Sequence, residues 1–510
     1  FFNTDWKVQI VENKIVSTNF NDRDFLNHAR SISEKPLSVI LMSGGDSDCS
    51  RYSIIGCEPN LVITSKGRKI RITSPEKIHS FEDNPFNVLH MIFKHGISNH
   101  ELINLPFMGG ALGYLSYELK NHIEKLPQHA LDDLNLPDLF LIFPTKILIH
   151  DRHEKTLRDI KLQFNGNNDF VKNLHPIENP KSSPLGARSS RRHVLRTSSL
   201  PLGARSSRRH ALRTSSLHLG ARSSRRHVLQ TSKLKSNFSR DDYIHSVNTI
   251  RDYIREGDVY QVNLSQRFSY PFKTSSFNLF EQLYNLNPAP FFSHINAGDH
   301  QVVSTSMERF LFLDGSTIET RPIKGTRKRG ITDDEDSQLK DDLISSEKDD
   351  AEISMIVDLL RNDLGKVCKP GSIKVHEHKR VEKYQNVFHL VSIIKGELAD
   401  SITFADLLKA TFPGGSITGC PKIRAMEIID ELEPHVRQVY TGAIGYMGFH
   451  KNLDLNVAIR TAIISDEICH FGVGGGIVYD SVAGDEYEET LYKGQSFFDL
   501  INGMDGNTNH

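Results

Sequence analysis

The chain has 510 residues, 38% hydrophobic and 25% charged, with a formal net charge of −1. That length suits two to four domains of about 150 residues, or one or two large ones, and the composition excludes a chain disordered throughout. The charge is uneven: residues 184–234 carry eleven Arg, one Lys and no acid, and without those twelve, 50 bases face 63 acids. A net-acidic body argues against nucleic-acid binding.

The five cysteines, Cys49, Cys57, Cys368, Cys420 and Cys469, are odd in number and never spaced CxxC. Neither a disulfide framework nor a zinc site is expected, and a reducing, cytoplasmic setting fits. The best apolar run, Leu136–His150, is broken by Asp138, Pro144 and Lys146, so no membrane span is expected. The start, Phe1-Phe2-Asn3-Thr4-Asp5, has neither the basic region nor the apolar stretch of a signal peptide.

In chain order, residues 1–177 form a first region. Short β-rich runs at 37–42, 52–55, 61–63, 69–72 and 139–149 alternate with helical stretches near 22–33 and 85–95. Residues 178–236 form a second. Its 17-residue unit PLGARSSRRHVLRTSSL (184–200) recurs twice more, nearly unchanged, with few apolar side chains. It reads as a duplicated surface insertion, flexible or loosely helical. A basic arm for RNA or an anionic membrane is the functional alternative, without interleaved aromatics to support it.

Residues 237–503 form the third region. Ser239 caps a helix to Glu256 with apolar positions Tyr243, Val247, Ile250 and Ile254, and Gly257 stops it. Asp314-Gly315 signals a hairpin between Glu308 and Lys324. A two-residue loop pairs 308 with 321 and separates the two side chains. A three-residue loop pairs 308 with 322 and puts them on one face, as an acid and nucleophile pair or as a salt bridge. Ser345 or Ser346 caps the next helix, which ends at Gly365. Its stripe of Ile353, Ile356, Leu359 and Leu360 turns Glu352 towards the packed side, with Asp349 one turn earlier. An inward carboxylate needs a hard cation or an arginine. Helices are expected at 404–411 and 421–432, and strands at 438–446, 456–465 and 470–479. Glu486 and Glu489 repeat the i, i+3 acidic pair, either as further ligands or as an acidic first turn facing the helix dipole. Glycine clusters at 414–419 and 472–476 admit an anion but match neither phosphate-loop nor dinucleotide spacing.

Six blocks resemble the chorismate-utilising enzymes, in family order: RPIKGTRKRG (321–330), AEISMIVDLLRNDLGKV (351–367), FPGGSITGCPKIRAMEIIDELEP (412–434), YTGAIGYM (440–447), AIRTAI (458–463) and GGGIVYDS (474–481). The resemblance implies an anthranilate-synthase-like α+β fold, with β-sandwich-like sheets flanked by helices. It implies Mg2+ held by Glu352 and Glu489, with Glu486 and Asp349 in support. Gly325, Thr326, Tyr440, Arg460, Gly474, Gly475, Gly476 and Lys422 fall at chorismate-binding positions. His389 matches the active-site histidine, Glu308 the general acid and Lys324 the nucleophile.

Lys324 stands where the anthranilate-forming branch has alanine, so the likeness leans to the branch that makes aminodeoxychorismate, with anthranilate synthesis as the alternative. Gln261, in YQVNLSQRF (260–268), stands where isochorismate-forming members carry a water-activating lysine, and is expected on the ammonia path. A tryptophan-sensing Glu is replaced by Ser43 or Gly44, and Met307 replaces the family's proline. No cysteine has the setting of a glutaminase nucleophile, so a separate glutamine amidotransferase subunit is expected. A non-enzymatic chain that binds RNA through its repeats is the alternative of another class. For Lys324 to be a nucleophile its amine must be desolvated or lie near cations, with Arg321 and Arg327 the neighbours in sequence.

Overall fold

The helices follow from local signals. In the computed structural model, which describes residues 7–95, 97–98, 105–165 and 233–506, Ser239 Oγ accepts from the Asp242 amide and Gly257 ends the helix Arg240–Glu256 at φ +87°. Only a residue without Cβ takes that φ without strain. Ser346 caps the helix Glu347–Gly365 by accepting from the Asp349 amide. That helix buries Ile353, Ile356, Val357, Leu360 and Leu364, each contributing about 1.5–3 kcal/mol of burial. Thr403 and Asp406 form a reciprocal capping box on Phe404–Thr411.

The sheets join the two halves of the sequence. Ser38–Met42 pairs with Phe291–Asn296, and Gly110–Leu115 pairs with Ala443–Gly448. The long strands Tyr52–Lys66 and Leu139–Asp151 pair along most of their length. From their ends one run of pairings leads through Phe291–Asn296, Gln301–Ser306, Thr461–Ser465 and Ile468–Ile477 to Gln261–Pro271. The other leads through Gly110–Leu115, Ala443–Gly448, Leu453–Val457, Arg309–Asp314 and Thr317–Arg321 to Val387–Glu397. Two large apolar clusters fill the interior, one built around Phe143, Ile356 and Leu455, the other around Phe280, Phe292 and Phe471. Met307 is buried in the second.

Residues 1–175 and 231–510 thus form one compact unit, and the division at 177 and 237 marks no break in the sheets. The strand Lys235–Ser236, at the end of the span read as insertion, already pairs with Phe268 and Ser269. The repeats at 184–232 lie outside the described residues. Among the described residues no helix is long and apolar enough to cross a membrane.

Two strands differ from expectation for a backbone reason. The strand expected from 438 begins only at Ala443, because Gln438 and Thr441 both take positive φ. The strand expected over 456–465 is two, Leu453–Val457 and Thr461–Ser465, broken by Arg460 at φ +50°. That break presents the side chain of Arg460, which the sequence places at a substrate-binding position.

Candidate active site

The hairpin turns at Gly315-Ser316, so Asp314 pairs with Thr317, and a bulge between Arg309 and Phe312 then shifts the register to Arg309 opposite Arg321. Continuing that register sets Glu308 opposite Pro322. This is the same-face arrangement, reached through a bulge instead of a three-residue loop. The next side chain along, Arg309, belongs to a buried ion cluster with Asp454 and Glu319, and Arg321 shares Glu319. These bonds lock three neighbouring strands and commit both arginines.

Glu308 is buried, and its Oε1 accepts a hydrogen bond of 2.6 Å from Ser416 Oγ. Burial lifts its carboxyl to about 7, although Ser416, Lys324 and the backbone of Ile323 pull it down. Near neutrality it is therefore a competent proton donor.

The Lys324 side chain is 12% exposed and its Nζ lies 2.8 Å from Glu352 Oε1. Gln261 Nε2 donates to the same oxygen at 2.6 Å. Burial works against the lysine's charge, but Glu352 outweighs it and the net shift is upward. The expectation of an amine depressed by Arg321 and Arg327 is thus corrected. Arg321 is held by Glu319 and Asp48, Arg327 by Asp342 and Asp349, and what faces Lys324 is a carboxylate.

Helix Ala483–Lys493 packs on strand Ile468–Ile477 and brings the second acidic pair to the same glycine ribbon. Glu486 is buried and accepts from Ser481 Oγ at 2.6 Å, so it is no mere dipole-facing surface acid. Burial raises its carboxyl. Glu489 pairs with Lys493 Nζ at 2.7 Å, and that amine also donates to Gly474 O at 3.0 Å.

The glycines make room for these groups. A Cβ at Gly475 would lie 3.4 Å from Glu486 Oε2 and 3.6 Å from Glu489 Oε1, and one at Gly476 would lie 2.1 Å from Gln261 Nε2 and 3.0 Å from Glu352 Oε1. Carboxylate oxygens beside a glycine ribbon fit a hard divalent ion, which takes few protein oxygens and completes its shell with water and substrate. Among the described residues no three such groups stand in ion-holding geometry as they are, with Glu352 turned to Lys324 and Glu489 to Lys493. Asp349 is engaged by Arg327 at 3.1 Å.

Arg460 sits at the strand break, within electrostatic reach of Tyr384 and Tyr492. Its guanidinium forms no ion pair among the described residues. A half-buried arginine without a counter-ion is a ready receptor for a substrate carboxylate. His389 Nδ1 lies 3.0 Å from Thr326 Oγ1 and 3.3 Å from Gly325 O, while its buried Nε2 has no partner. Burial and Arg460 push the imidazole down to about 3, so it is neutral. Gln261 Oε1 is a second buried polar atom without a partner. Each orphan costs about 1–3 kcal/mol, which a bound polar ligand would recover. The Tyr440 ring lies against Gly472 on the same strand as the glycine ribbon.

Lys422 is corrected. Its Nζ bonds to Asp363, to Thr411 O at 3.0 Å and to Pro413 O at 2.9 Å, which uses all three N–H groups. It braces a loop and has none left for substrate. Conversely, Ser416 and Lys493 belong to the site although the sequence reading does not include them. Ser416 is hidden in a glycine-rich turn. Lys493, four residues after Glu489, is legible as an i, i+4 pair.

Away from this site, a cavity of about 420 Å³ is lined by Ser43, Asp48, Cys49, Arg309 and Arg321 among others. Ser43 Oγ donates to Tyr52 O and Pro290 O, and a Cβ at Gly44 would meet Pro288 at 2.7 Å and Tyr284 at 2.8 Å. A glutamate at 44 has no room in this packing.

Comparison with known proteins identifies the family. The family model described as chorismate binding enzyme matches residues 19–499. The chain is 34% identical over 478 residues to aminodeoxychorismate synthase component 1 of Bacillus subtilis, covering 93% of this chain and 94% of that one. It is 35% identical over 461 residues to anthranilate synthase component 1 of Acetivibrio thermocellus, covering 90% and 88%. The crystal structure of anthranilate synthase component I from Streptococcus pneumoniae superposes with a TM-score of 0.69 at 29% identity, over 89% of this chain and 94% of that one. The protein therefore belongs to the chorismate-binding enzyme family and is an enzyme acting on chorismate.

Proposed function

We propose that this enzyme aminates chorismate at C4, giving 4-amino-4-deoxychorismate on the route to para-aminobenzoate and folate. The observation that carries the reading is Lys324. It stands where the anthranilate-forming branch has alanine, and its amine lies inside the site, 2.8 Å from Glu352. Glu308, buried and poised near neutrality, supplies the proton for the departing C4 hydroxyl. Arg460 takes a carboxylate of the substrate. Glu352 and Glu489, with Glu486 behind them, would hold Mg2+, which when bound withdraws electron density from the ring through its carboxylate. Lys324 then adds at C2 as the hydroxyl leaves, and ammonia displaces the lysine by attack at C4. The open acceptor of Gln261 suits incoming ammonia. The relatives' names, component 1, support a partner subunit, which we assign as a glutamine amidotransferase.

The test is incubation with chorismate, Mg2+ and an ammonium salt. The expected product is 4-amino-4-deoxychorismate without pyruvate. Anthranilate with equimolar pyruvate would overturn the reading in favour of the anthranilate branch, and no turnover would overturn catalysis by this chain with free ammonia.

A further inference from the structure

Glu308 emerges at the end of a strand, where its backbone is fixed but its carboxyl can still rotate. A carboxylic acid delivers a proton from one oxygen only, so the other must be held. The loop between helix Phe404–Thr411 and helix Lys422–Leu432 does this. It carries Ser416 on the short turn Gly415–Ile417, and Ser416 Oγ donates to Glu308 Oε1 at 2.6 Å.

The loop is keyed to the helix that bears Glu352. Asp363, near the end of that helix, binds Lys422, whose amine also holds the carbonyls of Thr411 and Pro413. A Cβ on Gly415 would come within 2.7 Å of Leu359 on the same helix. Thr418 Oγ1 closes the loop on Gly414 O at 3.1 Å. Ser416 thus holds a fixed place relative to both Glu308 and Glu352.

We propose that Ser416 is the positioning residue of the proton donor: by occupying Oε1 it confines the acidic proton of Glu308 to Oε2 and aims it at the leaving hydroxyl. The proposal rests on the reading of Glu308 as the general acid. Once the Lys324 ammonium has left Glu352 and passed one proton to solvent, its neutral Nζ bonds to C2, the ring double bonds shift, the C4–O bond breaks and the Oε2 proton leaves with the hydroxyl as water. The electron pair stays on Glu308, and Ser416 and the backbone of Ile323 receive the new charge. The same acid recovers a proton from the attacking ammonia in the second half-reaction. Among the described residues the charged group facing Glu308 is Lys324, with the neutral Ser416 hydroxyl and the Ile323 backbone as hydrogen-bonding neighbours, while Arg309 is committed to Asp454 and Glu319.

The experiment compares Ser416→Ala, Ser416→Thr and Glu308→Gln in the full-length protein. The carboxyl C=O band of protonated Glu308, assigned by its loss in Glu308→Gln, is followed by difference infrared spectroscopy across pH. In Ser416→Ala the band should move to higher frequency and its titration midpoint to higher pH, because the ionised form has lost a donor. The high-pH limb of kcat/KM should move the same way, with kcat down roughly tenfold and chorismate Kd unchanged. Ser416→Thr, which keeps the hydroxyl, should restore the band and the limb. A band and pH limb in Ser416→Ala matching wild type would overturn the proposal, as would a threonine variant no better than alanine. Near-normal turnover by Glu308→Gln would instead overturn the general-acid reading, a result independent of whether the Ser416 bond is seen in the spectrum.

Discussion

Among single residues, the proposed chemistry depends on two buried ionisable groups with opposite needs. Glu308 must keep its proton, and burial lifts its carboxyl to about 7. A folded-state value above the unfolded one means stability that is full below about 4.5 and lost as pH rises through about 7. Glu308→Gln removes that loss. Relative to wild type it should gain up to about 3 kcal/mol between pH 5 and pH 8, read from chemical denaturation at both. A constant difference between the two pH values would show that Glu308 ionises normally. Its turnover should fall by roughly 10²–10⁴ with little change in chorismate binding. Lys324 has the reverse problem. Paired with Glu352 it is an ammonium and no nucleophile, so it must give up that partner before reacting. Lys324→Ala should lose amination while Mg2+-dependent chorismate binding survives. Wild-type protein quenched in turnover should carry a chorismate-derived mass on Lys324 that the variant lacks.

Among secondary-structure elements, the helices are plain in the sequence and the site strands less so. Serine caps, glycine stops and 3.6-residue stripes are local, which is why Ser346 and Gly257 are legible. The break at Arg460 is not, because AIRTAI reads as one continuous strand and the left-handed residue is set by neighbours far along the chain. The glycine ribbon is the element with the sharpest prediction. A Cβ at Gly476 would collide with Gln261 Nε2 at 2.1 Å and crowd Glu352 at 3.0 Å. Gly476→Ala should therefore weaken Mg2+-dependent chorismate binding at least tenfold, measured by calorimetry. The thermal midpoint should move by only a few degrees, since the displaced groups are polar ends and not core.

Across the molecule, the metal and the repeats make contrasting predictions. A cation that binds only the folded protein raises its midpoint by mass action. Mg2+ with chorismate should raise the thermal midpoint of wild type, and chelation should reverse it. The double variant Glu352→Gln, Glu489→Gln should show no such rise, and an equal rise in that variant would remove both residues from the ligand set. The repeats at 184–234 offer few apolar side chains and fall between strands that belong to one unit. Deleting them should leave ammonia-dependent activity and the midpoint nearly unchanged. Loss of soluble folded protein would assign them a structural role.

Features that depend on neighbours along the chain can be read from the order of residues. These are the caps and stripes of the helices, the i, i+3 spacing of the acidic pairs Asp349 with Glu352 and Glu486 with Glu489, and the block order that resembles the chorismate site. Features that depend on groups hundreds of residues apart emerge only on packing. Packing chose the hairpin register through a bulge, turned Glu308 to Ser416 and Arg309 to Asp454, and moved Lys422 from substrate contact to loop brace. It also set the charge environment of Lys324, for which the sequence neighbours Arg321 and Arg327 point the wrong way. The reason is physical: a side chain's protonation and role follow from desolvation and from the one or two groups within hydrogen-bonding reach, and in a sheet protein those groups come from distant strands.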